Sequence, residues 1–302
     1  MKELKNKTII LLKGIFMGVA DVIPGISGGT IAFITEIYDR LINNIGRVRD
    51  LGLQLIILII EIFNATKRKE KYSTIKEKFN TIEFGFLIPL VIGILTALFF
   101  GSMIIPVAMT KYPSYVYSFF IGLILSSAVY IYKKIQSHKT IEILFGVIGL
   151  AIGILVSIAP AINNSGQPGI IYSTILGMIA ITAMILPGIS GSYILLIFGQ
   201  YEFFLNAIHD IGNYYTQIIG LGIGAVIGLI LFSKILEYLL TKHHSKTFYL
   251  LAGLMVGALL KPGIIATNSQ TGITTWTISL ILVVIGYVLV QYIEKKANKK
   301  KE

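Results

Sequence analysis

Six stretches of this chain, at about 84–107, 114–132, 140–160, 214–240, 247–265 and 275–294, are apolar for close to the ~20 residues a helix needs to cross a hydrocarbon core. Such a chain has little choice of fold, because backbone polar groups in lipid must be satisfied within the structure and helices do this segment by segment. Charged residues make up 14% of the sequence and the mean hydropathy is +0.79, whereas soluble domains carry nearly twice that share of charge. The expected fold class is an all-α polytopic membrane protein, with residues 1–302 as a single transmembrane domain. The absence of cysteine excludes disulfides and thiolate chemistry.

The net charge of +11 does not point to nucleic acid, because the cations sit beside apolar runs, at 2–13, 40–49, 67–78, 133–139, 234–246 and 295–301. That is the pattern of cytoplasmic anchors. It predicts a solvated basic loop over 64–83, with anionic headgroups as a secondary attraction, and a basic cytoplasmic tail over 296–302. The start of the chain imitates a signal peptide, but the same segment recurs at 172–184, where none could lie, so both copies read as structure.

Two further apolar runs are interrupted by one phrase: "DVIPGISGGTIAFI" at 21–34 and "MILPGISGSYILLI" at 184–197. The copies lie 163 residues apart, and at that spacing Gly14 meets Gly177 and Tyr38 meets Tyr201. The echo continues at smaller spacings, pairing 88–104 with 221–237, 117–125 with 248–256 and, loosely, 143–159 with 278–294. The chain therefore reads as two repeats, 8–161 and 170–295, joined by an extracytoplasmic linker at 162–169. Internal repeats of this kind mark transporters, with the site at their interface. The arms after each break are too short to cross alone, so a re-entrant helical hairpin followed by three transmembrane helices is expected in each repeat. A hairpin and three crossings invert the second repeat. With both termini cytoplasmic, only Lys111 and Lys261 of the 26 Lys and Arg fall outside. This asymmetry supports the sidedness but does not separate a hairpin from two short full spans.

Irregular backbone at membrane depth persists only where protein or water covers it. Pro24 and Pro187 act as hinges ending the first arms, the glycines let the chain turn, and Ser27, Thr30, Ser190 and Ser192 are placed to cap the helices that follow. Open amides at helix starts favour anions. The expected substrate-binding residues are Gly25, Ser27, Gly28, Gly29, Thr30, Gly188, Ser190, Gly191 and Ser192, with Arg40 as a phosphate fork that could equally be a cytoplasmic anchor. Asp21 and Glu36, facing Met184 and Gly199 in the second copy, are candidates for proton coupling or gating, since charge within membrane segments is costly. Against these stand plainer readings: small residues for close packing, Asp21 receiving backbone amides, a Glu36–Arg40 pair, a local Lys234–Glu237 pair, and tyrosines ordinary at membrane interfaces.

Neither copy continues as a P-loop. "GISG" matches the sequence around the nucleophile of rhomboid-type proteases, but His138, His209, His243 and His244 lie near loops or span ends, and two opposed nucleophiles make little sense. No enzyme activity, metal or cofactor is expected.

The segments "GIFMGVADVIPGISGGTIAFITEIY" (14–38) and "GMIAITAMILPGISGSYILLIFGQY" (177–201) closely resemble the PopT family of polyprenyl-phosphate transporters, formerly a domain-of-unknown-function membrane family. The resemblance covers nearly the whole chain. It implies a protein of the bacterial cytoplasmic membrane that returns undecaprenyl phosphate from the outer to the cytoplasmic leaflet, recycling the carrier for cell-wall polymers. Undecaprenyl phosphate and membrane lipids would be its partners, with a proton or the membrane potential as candidate driving force. The alternatives are a secondary transporter or channel for a small soluble anion, using the same cradles, and a scaffold for envelope enzymes.

Overall fold

The computed structural model describes residues 2–23, 26–60, 68–160, 166–269 and 272–298. Among them every regular element is a helix. Six stretches are long and apolar enough to span a membrane: α5 (Phe84–Lys111), α6 (Pro113–Lys133), α7 (Thr140–Ile158), α11 (Ile211–Lys242), α12 (His244–Ala258) continued by α13 (Leu260–Asn268), and Ile273–Ile293 of α14 (Ile273–Asn298). They match the six expected spans. α6 is the most enclosed, with 67% of its apolar stretch buried, against 28% or less for α5, α7, α11 and α14. The outer helices turn their leucines, isoleucines and valines outward, as membrane spans do.

Each Pro-Gly phrase lies between a longer helix and a short one: α1 (Lys2–Val22) before α2 (Gly28–Ile34), and α8 (Ile170–Ile185) before α9 (Gly191–Ile197). α10 (Tyr201–Ala207) follows the second break. After the first comes α3 (Tyr38–Ile60), which the sequence reading did not anticipate. The basic stretch expected as a loop is helical over α4 (Arg68–Thr81), and residues 64–67 lie outside those described. So do 162–165 of the linker and 299–302 of the tail.

Glycine sets the helix crossings, and it does so in matched places. A Cβ on Gly14 would strike the backbone of Leu90, and one on Gly177 the backbone of Leu221. Gly93 presses on Leu11 and Ile15 as Gly224 presses on Thr174 and Met178. α1 thus packs on α5 as α8 packs on α11. The same duplication joins α6 to α14 through Gly122 and Gly286, and α12 to α7 through Gly253 and Gly149. Without a hydrophobic drive between helices in lipid, close backbone approach of this kind supplies the packing. The contacts also correct the register. Leu90 matches Leu221 and Gly149 matches Gly286, each two residues from the alignment read from sequence, whereas Gly122 matches Gly253 as expected.

Candidate functional site

The two breaks meet. Leu186, before Pro187, is extended at φ −74° and ψ 125°, because proline disfavours the helical region for its predecessor. Gly188 adopts φ +96°, and a Cβ there would lie 2.7 Å from the Met255 Cα, so both conformation and space require glycine. Its N–H donates to Thr30 Oγ1 at 3.2 Å, reaching from the second phrase into the first. A Cβ on Gly29 would stand 2.9 Å from the Met184 and Ile185 carbonyl oxygens. Pro24 and Gly25 lie outside the described residues.

Ser27 caps α2 with extended backbone, its Oγ accepting from the Gly29 N–H at 3.1 Å. The same hydroxyl donates toward the carbonyls of Met184 at 3.3 Å and Leu186 at 3.1 Å. These are among the carbonyls that the end of α8 leaves without helical partners. Asp21 is 5% exposed; its Oδ1 accepts from the Gly28 N–H at 2.7 Å, while Oδ2 has no partner among the described residues. The start of α2 is thus filled by the chain's own carboxylate. At the second break Met184 takes that place, its Cβ 3.3 Å from where a Cβ on Gly191 would stand. Ser190 caps α9 more loosely, accepting from the Tyr193 N–H at 3.4 Å, and its Oγ pairs with Ser192 Oγ at 2.7 Å.

Glu36 and Gly199 share a left-handed turn, at φ 55° and 67°. Glycine adopts it freely and glutamate at a cost, so their chemical difference sits on common geometry. The Glu36 carboxylate accepts from Tyr130 OH at 2.7 Å, and Lys134 lies over the Tyr130 ring. Arg40 is placed elsewhere: it bonds Glu83 through Nε at 2.7 Å and covers the Phe86 ring. Arg47 and Asn44 complete this cluster, and the Arg40 hydrogen bond holds the Glu83 carboxyl below its ordinary range. Glu237, read as a partner of Lys234, instead bonds the buried Arg49 of α3 at 3.1 Å. His209 bonds Ser102 and His138 bonds Tyr249, each at 2.7 Å; neither pair involves Ser27 or Ser190.

Tyr38 and Tyr201, read as ordinary interface aromatics, join the two breaks. Tyr38 OH donates to the Ile185 carbonyl at 3.1 Å, and Tyr201 OH to the Val22 carbonyl at 2.8 Å. Val22 and Ile185 end α1 and α8 and occupy matched positions, so each tyrosine closes the helix end of the opposite half. The signal available in the sequence was their common spacing with the Pro-Gly phrase.

The chain is 37% identical over 251 residues to the polyprenyl-phosphate transporter of Vibrio cholerae, covering 83% of this chain and 75% of that protein. It is 32% identical over 300 residues to the polyprenyl-phosphate transporter of Staphylococcus aureus, covering 94% of each. No solved structure matches it significantly. A family model described as VCA0040-like, undecaprenyl phosphate translocase-like, matches residues 17–292. With that model spanning most of its length and two transporters aligned along it, the chain belongs to the VCA0040-like, undecaprenyl phosphate translocase-like family.

Proposed function

We propose that this membrane protein carries undecaprenyl or another polyprenyl phosphate from the outer to the cytoplasmic leaflet of the bacterial cytoplasmic membrane, recycling the lipid carrier of cell-wall polymers. The observation that carries this reading, beside the family, is the buried junction between Ser27, Thr30 and the 184–188 segment. Only the phosphate head of such a lipid must leave water, because its tail remains in the bilayer. Two helix starts rich in hydroxyls and amides can replace that water.

In this reading the repeats 8–161 and 170–295 are inverted, the breaks are re-entrant, both termini face the cytoplasm, and the halves rock so that the junction opens to each leaflet in turn. Ser27, Gly28, Gly29 and Thr30 face Gly188, Ser190, Gly191 and Ser192 across the headgroup; Pro187 is a hinge, and the phrase in the sequence assigns Gly25 to the headgroup and Pro24 to the matching hinge. In the conformation described, Asp21 and Ser27 already hold the Gly28 and Gly29 amides, so the head displaces Asp21 or enters by the second break. Asp21 is thereby the group whose charge must change or move with the cargo, and Glu36 responds at the turn behind it. Arg40 joins only if it leaves Glu83.

Purified protein should bind polyprenyl phosphate much more tightly than inorganic phosphate, and Asp21→Asn, Ser27→Ala and Ser190→Ala should insert normally yet clear less outward-facing lipid phosphate. Equal competition by inorganic phosphate would favour a soluble-anion carrier. Full clearance by all three variants would remove the assigned site.

A further inference from the structure

The bonds joining the breaks are of two kinds, and residue matching tells them apart. The Tyr38–Ile185 and Tyr201–Val22 bonds turn into each other when the halves exchange places. A contact of that kind survives in a state where each half adopts the other's shape. The serine contacts do not. Ser27 grips the carbonyls of Met184 and Leu186, while its match Ser190 turns to Ser192 and leaves the matched carbonyls, those of Asp21 and Ile23, ungripped. Burial has the same sense: all of α2 is buried, but only Gly191 and Tyr193 of α9.

We propose that Tyr38 and Tyr201 form a fixed pivot between the halves, and that Ser27 and Ser190 are alternating latches. Ser27 holds the state described here; Ser190 takes the carbonyls of Asp21 and Ile23 in the opposite end state. This rests on the reading of two repeats that rock past each other. Two states within a few kcal/mol are shifted by any interaction made in only one of them. A single hydrogen bond lost from one state changes their ratio about two- to tenfold. The Gly188–Thr30 bond cannot exchange, because Tyr193 stands at the position matching Thr30. The described state therefore keeps an extra hold and is the more populated.

The chain has no cysteine, so labelled pairs can be introduced cleanly. V48C/Y238C flanks the Arg49–Glu237 pair, and V107C/I211C occupies the matched positions; all four side chains are exposed. Spin-label distances in nanodiscs should show two populations that move in opposite senses at the two pairs. Ser27→Ala should raise the minor population about two- to tenfold, and Ser190→Ala added to Ser27→Ala should return the ratio toward that of the unmodified protein. Tyr38→Phe and Tyr201→Phe should lower the melting temperature while leaving the ratio within about twofold. The latches are overturned if Ser27→Ala leaves the ratio unchanged, or if the added Ser190→Ala shifts it further in the same sense or not at all. The pivot is overturned if either tyrosine variant biases the ratio as strongly as Ser27→Ala. Movement of polyprenyl phosphate by vesicles of the same unmodified protein separates the failures: transport with unmoved distances sinks the latches and the rocking they rest on but keeps the cargo, whereas shifted distances without transport sink the assigned cargo alone.

Discussion

Every residue of α2 is buried and only two of the seven in α9 are, although both helices follow the same Pro-Gly-Ile-Ser-Gly phrase and start on matched serines. What the phrase itself dictates is equal on both sides: a serine cap, a left-handed turn at Glu36 or Gly199, and a tyrosine reaching the opposite helix end. What differs is decided by neighbours outside the phrase. Asp21 fills the start of α2 where Met184 leaves the start of α9 apolar, and Ser27 holds the far half where Ser190 holds Ser192 of its own helix. A duplicated segment thus shares local geometry while its two copies differ in burial and in the partners they hold.

The harshest way to break this comparison is Gly188→Ala, which meets both a left-handed backbone and the Met255 Cα. It should cost about 3 kcal/mol in detergent unfolding, combining strain and overpacking. Gly222→Ala, in a helix with open space around it, should be neutral or stabilising by up to about 1 kcal/mol. Asp21→Met would make the first break resemble the second; stranding the Gly28 amide should cost about 1–3 kcal/mol, read by the same unfolding. Unchanged stability there would show that another acceptor equalises the two sites. The shared turn gives a finer contrast. Gly199→Ala should cost about 1 kcal/mol, whereas Glu36→Gly should stay near neutral, because relief of the backbone offsets the lost Tyr130 bond.

The smallest effect concerns Glu83. Its carboxyl is depressed in the folded protein, so its contribution is present at neutral pH and is lost as the pH falls below the ordinary value of 4.5. The group is 37% exposed and screened, so Arg40→Gln should remove no more than about 1 kcal/mol, and acid unfolding should begin at slightly higher pH. A larger loss at neutral pH would give Arg40 a role beyond this ion pair.

Apolar length and charge asymmetry made the spans legible, since crossing a membrane imposes both. The glycine crossings were legible in part: the spacing of Gly122 and Gly253 was right, while the α5–α11 match was two residues off, because an apolar run resembles itself at several registers. α3 was missed because Arg40, Arg47 and Arg49 mask its apolar face, and only the packed structure shows Arg49 spent on Glu237. At the site, the serines, glycines and Asp21 were visible as a pattern. Their partners were not, because Ser27 and Tyr38 bond backbone carbonyls of the other half, and carbonyls carry no sequence signature.

The most direct measurement is leaflet-resolved movement of labelled undecaprenyl phosphate in vesicles containing only this protein. Transport through the paired breaks predicts that label in the outer leaflet becomes protected inside, faster than in protein-free vesicles, and that Ser27→Ala slows the process. Label that stays in its leaflet at the protein-free rate, in vesicles whose protein is folded and inserted, would contradict it.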